Sequence, residues 1–226
     1  MRKLRPTALS AQPLAVTFIA ALAALWLGLS SSRAFAYELE RTASDVPLRW
    51  PGDPLEVRVN VARLPAALDA DGVVRAADSA LLAWVEQMPV ALATRVTSFR
   101  NAEDNVLRPS DRVNTVDWVA REWDEEFDLR ALALTVIAFD TRTGEILDAD
   151  IAINGEYFDF AVALADDCAE TFDLPGVLTH EFGHFLGMAH SGGHPEATMY
   201  PRSQACRDEQ RSLDEDDIEG IQYLYE

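Results

Sequence analysis

Residues 180–190 read HEFGHFLGMAH and place three histidines and one glutamate within eleven positions. Residues four apart share one face of a helix, so His180 and His184 can direct their imidazoles at one ion. Gly187 reaches a positive φ at low cost, so the helix can end there and return His190 to the same ion. Three nitrogen ligands leave a fourth tetrahedral position for water, which is typical of a catalytic zinc site.

Glu181 is the predicted general base. It projects about 100° round the helix from His180, so its carboxylate is free to act on water. Zinc lowers the pKa of a bound water from about 16 towards about 7, and a nearby carboxylate can complete the deprotonation at neutral pH. The segment His-Glu-x-x-His alone also suits an ordinary amphipathic helix, but the full pattern with Gly187 and His190 favours the metal site.

This pattern resembles that of the metzincin zinc endopeptidases. Residues 197–201, ATMYP, are similar to the methionine turn of that family, with Met199 as an apolar floor under the metal. Ser191, directly after the third histidine, and residues 213–225 resemble the matrixin branch. The resemblance implies an α+β, zincin-like fold. This fold has a twisted mixed five-stranded sheet, three helices, and a cleft between an upper and a small lower subdomain.

The first 36 residues are predicted to be a signal peptide that is cleaved after Ala36. Arg2, Lys3 and Arg5 give a basic start, residues 14–29 form an apolar run, and small residues lie one and three positions before the cut. A retained membrane anchor is the alternative, although the run is shorter than the roughly 20 residues that a spanning helix needs. Cleavage leaves one domain, residues 37–226, in an exported protein that is extracellular or periplasmic.

The chain is strongly acidic. Its net charge is −19, and removing the leader, which holds four basic and no acidic residues, takes the charge to −23. Such a charge repels nucleic acid and anionic lipid and favours solubility. We therefore expect no nucleic-acid partner and no membrane contact after cleavage. The resemblance to matrixins implies protein or peptide substrates in extended conformation, and we expect a monomer.

The segment before the metal motif alternates between strand and helix patterns. Residues 72–86 have apolar positions at helical spacing, including Trp84, while five runs have strand character: residues 55–61, 91–101, 113–123, 132–139 and 145–154. By resemblance to matrixins, residues 132–139 form the edge strand above the cleft. An extended peptide could pair with that edge as one more strand. A central strand without substrate contact is the alternative.

Asp148 and Asp150 are candidate calcium ligands. They lie where matrixins carry calcium carboxylates and a structural-zinc histidine, and this chain has Leu147 in place of that histidine. With four histidines in all, a second histidine-rich zinc site is excluded. Hard oxygen ligands suit calcium, but an acidic turn of this kind can equally be solvated.

Cys168 and Cys206 are the two cysteines of the chain, and an exported protein favours a disulfide between them over two free thiols. That bond would be worth about 3–4 kcal/mol in the chain-entropy model. Because no cysteine precedes Cys168, latency through a propeptide cysteine, as in many matrixins, is not expected.

N-terminal caps are predicted for the helix that carries His180 and His184, here called the metal helix, and for the last helix. Asp173 is a good N-cap for the metal helix, with Pro175 in its first turn, and residues 212–215 form a capping box for the last helix. In matrixins a Pro-x-Tyr segment walls the pocket for the residue after the cut bond. Here Pro201 is present, and Ser203 replaces the tyrosine.

The function predicted from the sequence is an exported zinc endopeptidase. Two alternatives remain open: a metal-holding interaction module without activity, and a zinc hydrolase that acts on a non-peptide amide. The first usually lacks the glutamate, and the second would leave unfolded proteins uncut.

Overall fold

The structure, a computed structural model, describes residues 37–52, 54–102, 107–124 and 127–226, and the backbone of Leu14–Ala20. The other residues of the predicted leader, including the cleavage position after Ala36, lie outside the described part. The chain folds into one mixed sheet with helices on it, followed by a smaller C-terminal region. Within the described residues no helix is long and apolar enough to cross a membrane.

In the described residues the main sheet has six strands: Leu14–Ala20 (β1), Leu55–Asn60 (β3), Thr94–Phe99 (β4), Thr115–Val119 (β5), Ala133–Asp140 (β6) and Ile146–Asn154 (β7). Their spatial order is β1-β6-β7-β5-β3-β4. Strands β3, β4, β5 and β7 run parallel, and β6 is antiparallel to β7. The five strands β3 to β7 confirm the predicted mixed five-stranded sheet.

Strand β1 is the unexpected sixth strand. It pairs antiparallel with β6, from Leu14 opposite Asp140 to Ala20 opposite Leu134. The sequence predicted β6 as the edge strand, and this is wrong for the full chain, where β1 holds the edge. The physical reason is that β6 presents unpaired N–H and C=O groups, and the leader supplies a backbone that satisfies them. Strand β6 becomes the edge only where β1 is absent.

Two helices lie on the sheet: Ala70–Val85 (α1) and Leu174–Phe185 (α2). They pack against each other through Trp84, which is fully buried and whose indole N–H donates to the Thr179 carbonyl at 2.7 Å. The other end of α2 is fixed by two aromatic side chains. Trp50 donates to the Phe185 carbonyl at 2.8 Å, and the Tyr225 hydroxyl donates to the Leu186 carbonyl at 2.9 Å. These bonds satisfy carbonyls that the end of a helix leaves free.

The remaining elements are short, apart from the last helix. They are Glu38–Leu39 (β2), Phe160–Ala161 (β8), Phe172–Asp173 (β9), Met188–Ala189 (β10), the 3₁₀ turn Glu209–Arg211, and Glu215–Tyr225 (α3). Strand β2 pairs with β10, and β8 pairs with β9. The predicted capping box at residues 212–215 is wrong by two positions, because Asp214 caps α3 and exchanges hydrogen bonds with Asp217. Three α-helices are present in the described residues, as predicted.

Candidate metal centre and active site

Helix α2 begins and ends as its sequence predicts. The Asp173 carboxylate accepts the Gly176 N–H at 2.8 Å as N-cap, and Pro175 lies in the first turn. The helix ends at Phe185, and Gly187 adopts φ +100°, a conformation that a side chain at this position would strain. This reversal confirms the predicted break and directs the chain from α2 into β10 and on to His190.

The three histidines converge on one point. The Nε2 atom of His190 lies 3.1 Å from Nε2 of His180 and 3.1 Å from Nε2 of His184. Among the described residues, these three side chains form a group with ligand atoms within 4.8 Å of one another. The predicted metal ligands are therefore brought together by the fold.

The hydrogen bonds of two rings fix which nitrogen faces the centre. The Nδ1 atom of His180 lies 2.7 Å from the Thr198 carbonyl, and Nδ1 of His184 lies 2.9 Å from the Met188 carbonyl. Because a carbonyl only accepts, both Nδ1 atoms carry the proton, and both Nε2 lone pairs point inward. A tetrahedral zinc at about 2.0–2.1 Å would separate its ligand nitrogens by about 3.3–3.4 Å. The observed spacing fits this ion.

Burial keeps these rings neutral. Burial lowers the pKa of His180, and burial together with the neighbouring imidazoles holds the pKa of His184 well below its usual range. Burial, with His180 nearby, lowers the pKa of His190 to about 3. Neutral imidazole is the form that binds a metal, so the ligands need no deprotonation before they bind.

Glu181 lies at the mouth of the cleft with a partner that the sequence did not reveal. The hydroxyl of Thr135, on β6, donates to Oε2 of Glu181 at 2.6 Å, and both side chains are buried. Burial raises the pKa of the Glu181 carboxyl to about 7, and the Thr135 hydrogen bond opposes that rise. A carboxyl with a pKa near neutral is suited to accept and return a proton. A lone hydroxyl in the apolar run 132–139 was the signal for this contact.

Met199 lies directly behind the metal helix. It is buried, and a Cβ built on Gly183 would lie 2.2 Å from its sulfur atom. Gly183 is the residue between Glu181 and His184 that faces Met199, so only glycine lets the methionine turn approach this closely. Met199 thus packs against α2 beside the residue that precedes His184, and its role under the metal stays a prediction.

Two adjacent aspartates of α3 hold the segment that carries His190 and Met199. Asp217 accepts the N–H groups of Thr198 at 2.6 Å and Met199 at 3.1 Å. Asp216 accepts the Ser191 hydroxyl at 2.7 Å and the Tyr37 N–H at 3.0 Å. The sequence resemblance included these aspartates but assigned them no role. They couple the last helix to the third histidine.

A cavity of about 380 Å³ opens beside His180 and Glu181. Its upstream wall is Phe158 and Phe172, and its downstream wall is residues 200–203 with Gln210. Val177 of α2 and the segment before and at the start of β6, Asp128 and residues 130–133, complete the lining. The apolar part of this lining, beside His180 and Glu181, is suited to hold one large side chain of a bound ligand. Pro201 and Ser203 both line it, as the resemblance implied.

The candidate calcium ligands have a different environment. Asp148 accepts the Ser110 N–H at 2.7 Å, and Asp150 accepts the Thr115 N–H and hydroxyl at 3.0 and 2.7 Å. Burial raises the pKa of Asp150 to about 7. Asp148 keeps one buried oxygen without a hydrogen-bond partner among the described residues. Both carboxylates anchor the loop before β5, and calcium binding by them stays a prediction.

The predicted disulfide is confirmed. Cys168 and Cys206 are bonded, with Cα atoms 5.6 Å apart and a separation of 38 positions in sequence. It connects the loop between β8 and β9 to the segment that follows the methionine turn.

Three converging imidazoles with an adjacent buried carboxylate are suited to hold one metal ion for hydrolytic chemistry. The fold around it is that of a zincin-like α+β domain. The chain belongs to the matrixin family, whose model matches residues 49–226.

Individual relatives match this chain over short stretches. Matrilysin of Rattus norvegicus is 53% identical over 49 residues, which are 22% of this chain and 18% of the relative. Metalloendoproteinase 2-MMP of Arabidopsis thaliana is 38% identical over 104 residues, 45% of this chain and 25% of the relative. Neutrophil collagenase of Homo sapiens is 51% identical over 54 residues, 24% of this chain and 11% of the relative. The matched segments thus span a quarter or less of each relative.

Proposed function

We propose that this protein is an exported zinc endopeptidase that hydrolyses peptide bonds in extended protein segments. The observation that carries the proposal is the convergence of the His180, His184 and His190 Nε2 atoms beside the Glu181 carboxylate. The names of the relatives, a metalloendoproteinase and a collagenase among them, support the same reaction class.

His180, His184 and His190 would hold the zinc, which when bound supplies Lewis acidity to a substrate carbonyl and acidifies water. Glu181 accepts the proton of the attacking water and then passes it to the leaving amine. Thr135 keeps the Glu181 carboxylate turned towards β6 and the cleft, at 2.6 Å. Thr135 and Glu181 are both buried, so their hydrogen bond is stronger than it would be in solution.

Substrate binding would use the strand edge of β6. An extended chain paired there antiparallel would make the backbone hydrogen bonds that β1 makes in the full chain. The side chain following the cut bond would enter the cavity between Phe172 and Pro201. We infer that β1 leaves this edge when the leader, residues 1–36, is removed, so that the mature domain is residues 37–226.

The start of the mature domain supports that boundary. The backbone N–H of Tyr37 donates to Asp216 at 3.0 Å. Cleavage after Ala36 would convert this amide into an ammonium group beside a carboxylate, which strengthens the bond. The acidic mature chain is expected to be a secreted monomer without nucleic-acid or membrane partners.

The experiment combines metal exchange with one substitution. Purified protein, produced with its own leader, is incubated with unfolded casein, with and without a zinc chelator. We expect cleavage that the chelator abolishes and zinc restores. Glu181→Gln should keep stoichiometric zinc and lose about 10²–10⁴-fold in kcat, the usual contribution of a general base.

Three results would contradict parts of this proposal. Full activity in Glu181→Gln would remove the assigned base. Zinc binding without cleavage of any protein would favour the interaction module, and zinc-dependent hydrolysis of small amides alone would favour the second alternative.

Calcium is tested separately, by whether millimolar calcium raises the melting temperature of wild type but not of Asp148→Asn.

A further inference from the structure

The two walls of the cavity beside Glu181 come from segments far apart in sequence. The upstream wall, Phe158 and Phe172, belongs to the loop around β8 and β9. The downstream wall, residues 200–203 with Gln210, follows the methionine turn. A third side is formed by Asp128 and residues 130–133, next to β6. The distance between the upstream and downstream walls depends on the contacts between these two segments, and that distance contributes to which side chains fit.

The upstream wall is fixed to the core by aromatic packing. Phe172 packs edge-on against Phe158, with ring centroids 5.5 Å apart, and lies 6.2 Å from Phe160. Phe160 in turn packs edge-on against Trp118, at 5.3 Å. The Phe172 N–H also donates to the Asp159 carbonyl at 2.8 Å. This wall is therefore held without help from the downstream segment.

The downstream segment, residues 198–210, is hydrogen-bonded firmly near its two ends, at residues 198–200 and at Gln210. Thr198 and Met199 are bonded to Asp217, and the Gln210 amide donates to the Thr198 and Tyr200 carbonyls at 3.2 and 3.1 Å. Between them, residues 203–208 form neither helix nor strand. Among the described residues, one backbone hydrogen bond links this stretch to another segment, from the Cys206 N–H to the Thr171 carbonyl at 2.9 Å.

The same residue carries the covalent link. Cys206 is bonded to Cys168, three residues before Thr171. The disulfide and the Cys206–Thr171 hydrogen bond therefore both attach residues 203–208 to the upstream loop. A third tie lies just beyond, where Arg211 donates from Nε to the buried Asp173 carboxylate at 2.8 Å and from Nη2 to the Val162 carbonyl at 3.1 Å. Asp173 also caps α2, so this tie continues into the metal helix.

We propose that the Cys168–Cys206 disulfide is a specificity determinant, which fixes the distance between the two walls and so selects substrates by the size of the side chain after the cut bond. The inference rests on the proposed peptidase function and extends it. Without the bond, the upstream wall keeps its aromatic support, while residues 203–208 keep one backbone hydrogen bond. The side of the cavity at Ser203, which is the lining residue in this stretch, is then no longer held at a fixed distance from the upstream wall. A large apolar side chain loses close contact on that side.

The test compares wild type with Cys168→Ser/Cys206→Ser on three peptides that differ only in the residue after the cut bond, which is Ala, Leu or Phe. One methylene in a fitted pocket is worth about 10–200-fold in kcat/KM, so the kcat/KM values of wild type for these peptides should differ by at least about tenfold. In the double variant we expect this ratio to fall by at least about threefold, because KM of the larger peptides rises. The zinc content should be unchanged.

Val59→Ala is the matched control. Val59 is buried on β3, which is separated from β6 by two strands, so the substitution lowers stability without touching either wall. It should keep the wild-type ratio. Equal ratios in wild type and the double variant would overturn the proposal, because the bond would then act on stability alone. A wild type that cleaves none of the peptides would overturn the proposed function as well.

A second measurement needs no turnover. In a Glu181→Gln background, trypsin cuts the exposed downstream segment after Arg202 and Arg207, and mass spectrometry follows each bond. Local opening governs such cutting, and we expect it to be on the order of tenfold faster without the disulfide than in Val59→Ala. Equal rates would overturn the proposal. If the double variant does not fold, reducing folded wild type with a phosphine provides the same comparison.

Discussion

Substituting Gly183 by alanine tests whether the metal helix is held by close contact with its neighbours. A Cβ at this position would lie 2.2 Å from the Met199 sulfur and 2.8 Å from Cζ2 of Trp84. Neither neighbour can retreat easily. Trp84 is fully buried and bonded to the Thr179 carbonyl at 2.7 Å, and Met199 is buried against α2.

The expected magnitude follows from two opposing effects. Forcing a methyl group into a packed core costs about 1–3 kcal/mol, while alanine gains about 0.8–1.0 kcal/mol over glycine inside a helix. The difference is about 0–2 kcal/mol, and because two atoms lie closer than 3.0 Å to the added Cβ we expect the upper half, a loss of about 1–2 kcal/mol in the free energy of unfolding. For a domain of this size each kcal/mol lowers the melting temperature by about 2–4 °C, so the expected decrease is roughly 2–8 °C.

The assay is thermal unfolding of metal-free and zinc-loaded protein, followed by circular dichroism, together with zinc titration. Because Gly183 lies next to His184, we also expect zinc affinity to fall by about tenfold, as for other residues that orient ligands. Gly192→Ala is the control, since a Cβ there meets nothing within 4 Å, and it should change stability by less than about 0.5 kcal/mol. A Gly183→Ala protein as stable as wild type, or more stable, would refute the packing argument.

Three further predictions concern polar contacts around the site. Thr135→Val should lower kcat by about 10–100-fold with zinc retained, because a hydrogen bond to the Glu181 carboxylate is lost, whereas Thr135→Ser should stay within about threefold. Burial raises the pKa of Asp150 to about 7 in the folded protein, so ionising this carboxyl lowers the free energy of unfolding. Its contribution to stability is fully present below about pH 4 and is lost as the pH rises through 7. Asp150→Asn should therefore be more stable than wild type by about 1–3 kcal/mol in urea unfolding at pH 8, and no more stable at pH 4. Asp216→Asn should lower the free energy of unfolding of the mature protein by about 1–3 kcal/mol. An unchanged free energy of unfolding would show that the hydrogen bond from Tyr37 to Asp216 does not stabilise the fold.

The metal centre could be predicted from the sequence because its determinants are local. All three histidines lie within residues 180–190, and helix spacing and one glycine with positive φ suffice to place them. The N-cap at Asp173 was equally local. The disulfide followed from export and from there being two cysteines. For the histidine motif and the N-cap, the local sequence is enough to predict the arrangement.

The features that sequence reasoning missed depend on distant segments. Thr135 is 46 positions from Glu181, and nothing in either local pattern joins them. The strand β1 pairs residues more than a hundred positions apart, so its edge position was assigned to β6 instead. The capping box failed for a different reason. Asp214 lies two residues after Ser212, both can cap a helix, and the N–H of Ser212 is taken by the carbonyl of Glu209 in the preceding 3₁₀ turn.

The last helix is best understood as part of the active site. Helix α3 carries no metal ligand, yet Asp217 positions the backbone of Thr198, whose carbonyl in turn accepts the Nδ1 proton of His180. Asp216 holds Ser191, the residue after His190. Two of the three imidazoles are thus oriented from one turn of a helix that lies about 30 residues downstream of them. A carboxylate that accepts several hydrogen bonds fixes backbone position far better than apolar packing does, because each bond has a direction. The ligand motif brings the three nitrogens together, and the pair of aspartates holds the backbone that bonds to His180 and the residue that follows His190.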